Sequence, residues 1–306
     1  MKVLALAAAV ALASPVPTPL HAAVAPAALQ AEADADEKAT AWPTADDEAA
    51  VKRSVSKLRK ARNEEMEAGG RAEVIAAGPA AAPILLRALG KEKDAAARAR
   101  ITDALDAVTA VQHTRLLAAH LEESSDALRR YAVRRVAVLG DAGLLERADA
   151  LMEALEERAA NPKARKKVDP LDLDLAAVLC LSTGSPRGLG RVLVLAEPES
   201  WVEWRETLRP ASAGARAAGD EVARSIAGTL LGAEEVSDRV AALNLLAYAG
   251  SKELSRAVLP SLDAEENQVK VAAINALRMM VDGDPPLDKL STFDAIERAN
   301  RWKSRL

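Results

Sequence analysis

Four eight-residue stretches of this chain align with one another without gaps. They run from Arg98 to Leu105, Arg129 to Val136, Arg239 to Leu246 and Lys270 to Leu277. Each opens on a cation. An apolar residue follows three places on (Ile101, Ala132, Ala242, Ala273) and another seven places on (Leu105, Val136, Leu246, Leu277). Those offsets fall on one face of an α-helix. The first two stretches start about 31 residues apart, as do the last two, and the middle gap of about 110 leaves room for three more units. Shorter apolar helices are predicted upstream, from Pro83 to Leu89, Leu116 to Leu121 and Leu254 to Leu259. Gly90 and Asp94, Ser124-Ser125-Asp126 and Asp263 supply stops and caps between the helices. One helix pair cannot bury its apolar side alone, but stacked pairs make a continuous core. The predicted fold is all-α: a right-handed α-solenoid of about six antiparallel helix pairs, with second helices on the concave side.

Composition fits this reading. Ala, Leu, Arg and Glu dominate, and these favour helix. The chain has one Phe, two Tyr and four Trp, and half its residues are hydrophobic. So few aromatics and β-branched runs argue against a sheet sandwich or barrel. A net charge of only −4 with frequent Leu and Val argues against a disordered chain. Leu85 to Gly90 followed by Ala97-Arg98 and Ala104-Leu105, then Leu139-Gly140 and Ala249-Gly250 at helix ends, resemble HEAT repeats. They are of the short kind also seen in the phycobilisome-lyase-like group. The resemblance covers about 70–140 and 235–283 and is weaker over 141–234. It implies protein binding by a curved surface and names no substrate.

The N-terminus predicts export. Met1-Lys2 carries one positive charge, Val3 to Ala13 is apolar, and Ser14, Pro15, Pro17 and Pro19 break the run. That is the order of a secretory signal peptide, too short to span a bilayer. Cleavage after Ala22, Ala23 or Ala25 fits small-residue rules, although Pro26 disfavours the last. Residues 1–25 are therefore assigned to the signal and 26–45, rich in Ala, Asp and Glu, to a solvated linker. The expected location is periplasmic or extracellular. Cys180 is the only cysteine, so no intramolecular disulfide forms. Its apolar run, Ala176 to Leu181, predicts a buried, inert thiol.

The array occupies residues 46–290. A charged helix from Asp46 to Ala68 is expected to cap its start, with Val51, Val55, Leu58 and Met66 on one side. Glu64, Glu65 and Glu67 sit poorly against the dipole at such a helix's end. In the middle, helices are expected from Leu144 to Glu157, Leu171 to Leu181, Gly188 to Glu197, Glu199 to Leu208 and Asp220 to Leu231. Glycines 214, 219, 228 and 232 leave 210–234 ambiguous. Asp282-Gly283-Asp284-Pro285-Pro286 ends the last repeat helix. Residues 291–306 then form a helix N-capped by Ser291, with Phe293, Ile296, Ala299, Trp302 and Leu306 on one broad face. It is read as a cap over the last pair, or alternatively as a docking helix anchored by Phe293 and Trp302.

No complete catalytic, cofactor or metal motif occurs, so the expected catalytic, cofactor-binding and metal residues are none. His113 and His120 share a helix face without further ligands. Asp169, Asp172 and Asp174 lack the glycine turn and distal Glu of a calcium loop and read as acids at a helix start. Ser182 to Pro186 is turn chemistry. Three features carry candidate partner-binding residues. Arg129, Arg130, Arg134 and Arg135, with Arg98 and Arg100 one repeat earlier, form either a cationic strip for carboxylates or phosphates, or a solvated face of ion pairs. Lys163, Arg165, Lys166 and Lys167 make a basic turn after Asn161-Pro162, either a binding loop on one edge of the array or a solvated turn. Trp201 and Trp204, at i and i+3, either anchor a partner or fill a gap between repeats.

Together these features predict an exported, non-enzymatic, monomeric scaffold that binds another protein and no nucleic acid, with no membrane span. Two rivals belong to other classes. An enzyme or enzyme-maturation factor follows by analogy with the lyase-like group. A nucleic-acid-binding solenoid would need a strongly basic concave face, at odds with a pI near 5.6.

Overall fold

A computed structural model describes residues 40–287 and 289–306. The expected signal segment and residues 26–39 of the expected linker lie outside the described residues. Among the described residues there are fifteen α-helices and no strand, so the chain is all-α. No single helix among them is long and apolar enough to cross a membrane.

Two helices, α1 (Glu48–Arg59) and α2 (Glu64–Ala76), stand where the sequence predicts one from Asp46 to Ala68. The break has a local cause. The Asn63 side chain accepts a hydrogen bond from the Met66 N–H at 2.9 Å and N-caps α2. Glu64, Glu65 and Glu67 then lie in a first turn, where the helix dipole favours carboxylates. Val51, Val55 and Leu58 of α1 are buried, whereas Met66 is exposed.

The next twelve helices follow as six consecutive couples. They are α3 (Ala82–Leu89) with α4 (Ala95–Val108), α5 (Thr114–Ala118) with α6 (Asp126–Leu139), and α7 (Leu145–Ala160) with α8 (Pro170–Thr183). Then come α9 (Leu189–Ala196) with α10 (Pro198–Ala218), α11 (Glu221–Gly232) with α12 (Val236–Ala249), and α13 (Ser255–Val258) with α14 (Asn267–Leu277). The members of each couple touch, and the second helices touch in succession from α4 to α14. The aligned residues Ile101, Leu105, Val136, Leu246 and Leu277 are each fully buried. Each such side chain contributes about 1.5–3 kcal/mol relative to exposure.

The middle departs from a plain ladder. α10 runs 21 residues, straight through Pro210 and Gly214, past the expected end at Leu208. It packs on α8 and α12, and also reaches back to α6. Small residues permit this. A Cβ on Gly214 would lie 2.8 Å from the Ser182 carbonyl oxygen and 3.5 Å from the Gly140 Cα.

The last helix, α15 (Thr292–Arg305), packs on α14. Ser291 caps it as expected, its Oγ accepting from the Asp294 N–H at 3.1 Å. Trp302 is buried at 7 % exposure together with Ala295 and Ala299. The expected apolar face is corrected: Phe293, at 75 % exposure, and Ile296 turn outward, and Leu306 at the chain's end is exposed as well. Steps of three residues drift around a 3.6-residue helix, so the first members of that series rotate off the buried side.

Candidate functional site

Four second helices each send a stripe of side chains into one cleft of about 360 Å³. α6 supplies the floor with Ala127, Arg130, Tyr131 and Arg134, spaced i, i+3, i+4 and i+7 on one face. From α4, Arg98 and Thr102 form one wall. Leu171 and Leu175 of α8, with Glu203, Trp204 and Thr207 of α10, form the other. The lining mixes apolar side chains (Leu171, Leu175, Trp204) with charged ones (Arg98, Arg130, Arg134, Glu203). Arg98 and Glu203 are exposed and carry no ion pair among the described residues.

The arginines of α6 are engaged within the fold. Asp172 on α8 accepts from Arg129 at 2.9 Å through one carboxylate oxygen and from Arg130 at 2.6 Å through the other. Arg129 also reaches Asp126 at 2.8 Å, and Arg130 reaches Asp169 at 2.6 Å. Arg134 donates to Asp106 at 2.7 Å and lies 5.7 Å from the Tyr131 ring centroid. Arg135 donates to the carbonyls of Asp106 (2.7 Å) and Thr109 (2.6 Å), covering the C-terminal end of α4. Arg100 does the same for α1, through Leu58 and Arg59 carbonyls. The hydrogen bond to Asp172 raises the Arg130 pKa despite its desolvation. The Leu171 N–H, then Arg130, lower that of Asp169. Of the six arginines weighed as a cationic strip or a face of ion pairs, Arg98 alone has a side chain with no ion pair or hydrogen bond among the described residues.

The basic turn is different. The Asn161 side chain accepts from the Lys163 N–H at 3.0 Å, and Arg165–Lys167 make a short 3-10 turn between α7 and α8. Lys163, Arg165, Lys166 and Lys167 are all exposed, and none has an ion pair among the described residues. Lys167 borders a second cavity of about 610 Å³, together with Arg129 and Arg158.

Trp201 and Trp204 are both half-buried, and they divide between two jobs. Trp204 lines the cleft. Trp201 packs beneath Arg209, whose guanidinium stands 6.0 Å from its ring and 5.7 Å from that of Tyr248. Sequence reasoning missed Tyr131, Leu171 and Leu175 in the cleft, and Arg158 beside the basic turn. Their signal was available only as i, i+4 spacing on helices whose neighbours were unknown.

The remaining candidates are separate. The His113 Nδ1 accepts from the Ala110 N–H at 3.0 Å, and burial lowers the ring's pKa. His120 instead meets Glu123 at 3.2 Å. Asp169 N-caps α8, and Asp174 pairs with Arg191. Burial first, then Asp149, pushes the Cys180 thiol up to about 12, so it stays protonated near neutrality. No cluster of three or more metal-ligating residues occurs among the described residues. The chain matches no protein-family model and no curated protein.

Proposed function

We propose that this chain is an exported scaffold that holds a segment of another protein in the cleft crossed by α4, α6, α8 and α10. The observation that carries this reading is the cleft itself. Four successive second helices contribute to it, Tyr131, Leu171, Leu175 and Trp204 give it apolar surface, and Arg98 and Glu203, unpaired among the described residues, stand on opposite walls. Large aromatic and apolar anchors in a partly closed hollow are the usual source of affinity, while rim charges set orientation. The proposed architecture is a HEAT-like α-solenoid. In its support are the six helix couples and the successive contacts of their second helices. The export signal read in residues 1–25 supports the proposed location, and the partner would be met there.

A photo-crosslinking amino acid at Thr102, inside the cleft, tests the reading in the native host. It should trap a specific protein in the envelope or medium, and Trp204→Ala should abolish the adduct. Crosslinks that survive Trp204→Ala, or appear equally from exposed Val202, would overturn the assignment.

A further inference from the structure

The second cavity is separate from the cleft. Arg130 lines the cleft, whereas Arg129 and Asp172 line the cavity, so the Arg129–Asp172–Arg130 tie is the partition between them. One wall of the cavity is a stripe of α7. It is apolar for two turns, through Leu151 and Leu155, and ends on the cation Arg158. Lys167, from the basic turn, borders the same cavity.

The charged side chains lining the cavity balance in number, Glu122, Asp126 and Asp172 against Arg129, Arg158 and Lys167, but they are not all paired with one another. Arg129 is held between Asp126 and Asp172, and Glu122 faces Arg147 at 3.9 Å. Arg158 and Lys167 are exposed, and neither side chain has an ion pair or hydrogen bond among the described residues. An apolar wall bordered by two unpaired cations suits a ligand with the same gradient. The volume of about 610 Å³ falls in the range of small-molecule sites, roughly 300–1,000 Å³. We propose that this cavity binds a small amphipathic anion, an acyl-chain carboxylate or phosphate. Its head lies between Arg158 and Lys167 and its chain along Leu151 and Leu155. The head could belong to a free amphiphile or to a lipid, and both present the same chemistry to the two cations. This site does not depend on the function assigned to the cleft.

Calorimetric titration of the full chain with dodecanoate and with dodecyl phosphate, below their micelle concentrations, is the test. Saturable single-site binding of either probe is expected. Dodecanol, with the same chain and no charge, should bind more weakly by about tenfold or more, the worth of one charge-assisted hydrogen bond. Replacing both rim cations (Arg158→Gln with Lys167→Gln) should weaken binding by about the same factor. Both are exposed, so the fold should be retained, which circular dichroism checks. The neighbouring pair Lys163→Gln with Lys166→Gln should leave affinity unchanged. Absence of saturable binding overturns the site, as does an equal loss in the two double variants. If vesicles of phosphatidylglycerol bind while both soluble probes fail, the basic turn is a bilayer contact and the cavity site is again overturned.

Discussion

Trp42 lies flat against His113, with ring centroids 5.1 Å apart and planes 21° apart. The stack ties the segment ahead of α1 to the turn that opens α5. His113 is only 4 % exposed, and its Nδ1 is occupied as an acceptor. Both facts favour the neutral ring.

The sign of the pH dependence follows. Burial lowers the folded-state pKa of His113 below the ordinary histidine value near 6.5. The unfolded chain therefore takes up the proton more readily. Stability from the neutral ring is fully present above about pH 6.5 and is lost as pH falls through the folded-state value. The thermal midpoint should hold from about pH 8 to 7 and decline as the pH falls below about 6.5. His113→Gln keeps an acceptor for the Ala110 N–H and cannot titrate, so it should flatten that decline. The lowered carboxyl pKa values, such as those of Glu73, Asp169 and Asp282, act at more acid pH. A decline that persists unchanged in the variant would remove His113 as its source.

Asp172 should be a structural keystone between α6 and α8. It is 10 % exposed and accepts from two guanidinium groups. Asp172→Asn exchanges a charged acceptor for a neutral one and leaves Arg129 and Arg130 close together. We expect a loss of about 1.5–3 kcal/mol in urea unfolding. In an Arg130→Met background the same change should cost less, with a coupling of about 1 kcal/mol. Strict additivity would mean that the two residues do not act as a unit.

The helix couples were legible in the sequence because their period is carried by buried residues. Ile101, Leu105, Val136, Leu246 and Leu277 mark the core by spacing alone. Asn244 and Asn275, equivalent in the alignment, even do similar work. Each donates to a backbone carbonyl outside its own helix, Ala196 or Leu287. The break between α1 and α2 was also written there, in Asn63 followed by three glutamates, but apolar spacing across it outweighed the cap signal. What could not be read was which residues from different helices meet. For Arg129 and Arg130 the sequence left a cationic strip and a face of ion pairs both open, because Asp172 lies more than a helix away in the chain. The course of α10 was hidden for another reason. Pro210 and Gly214 argue locally for an end, and only its packing on α6, α8 and α12 holds the helix through them.

Two glycines in helices should respond to alanine with opposite signs. Gly228, in α11, has nothing within 4 Å of an added Cβ. Gly228→Ala should therefore stabilise by up to about 1 kcal/mol, the difference in helix propensity. At Gly214 the Cβ would lie 2.8 Å from a backbone oxygen, that of Ser182, which cannot swing aside as a side chain would. Gly214→Ala should cost about 1–3 kcal/mol, propensity notwithstanding. Chemical denaturation of both variants decides the matter. A stabilising Gly214→Ala would show that α10 does not pass so close to α8.

The last prediction separates the two faces of α15. Trp302 is buried against the array, and its ring also carries the Arg305 guanidinium at 4.8 Å from the centroid. Arg305 in turn reaches Asp282 at 2.7 Å, and Lys303 pairs with Asp263, so the final turns are tied down at several points. Trp302→Ala opens a large cavity at the end of the core and should cost about 3 kcal/mol. Phe293 makes no comparable burial, and Phe293→Ala should stay within about 0.5 kcal/mol. Removing residues 291–306 should lower the thermal midpoint of the isolated protein, because α14 would lose its cover. Equal losses for Trp302→Ala and Phe293→Ala would place both rings on the buried face. A truncated chain with unchanged stability would make α15 an appendage for docking, with Phe293 and Ile296 as its anchors, instead of a cap.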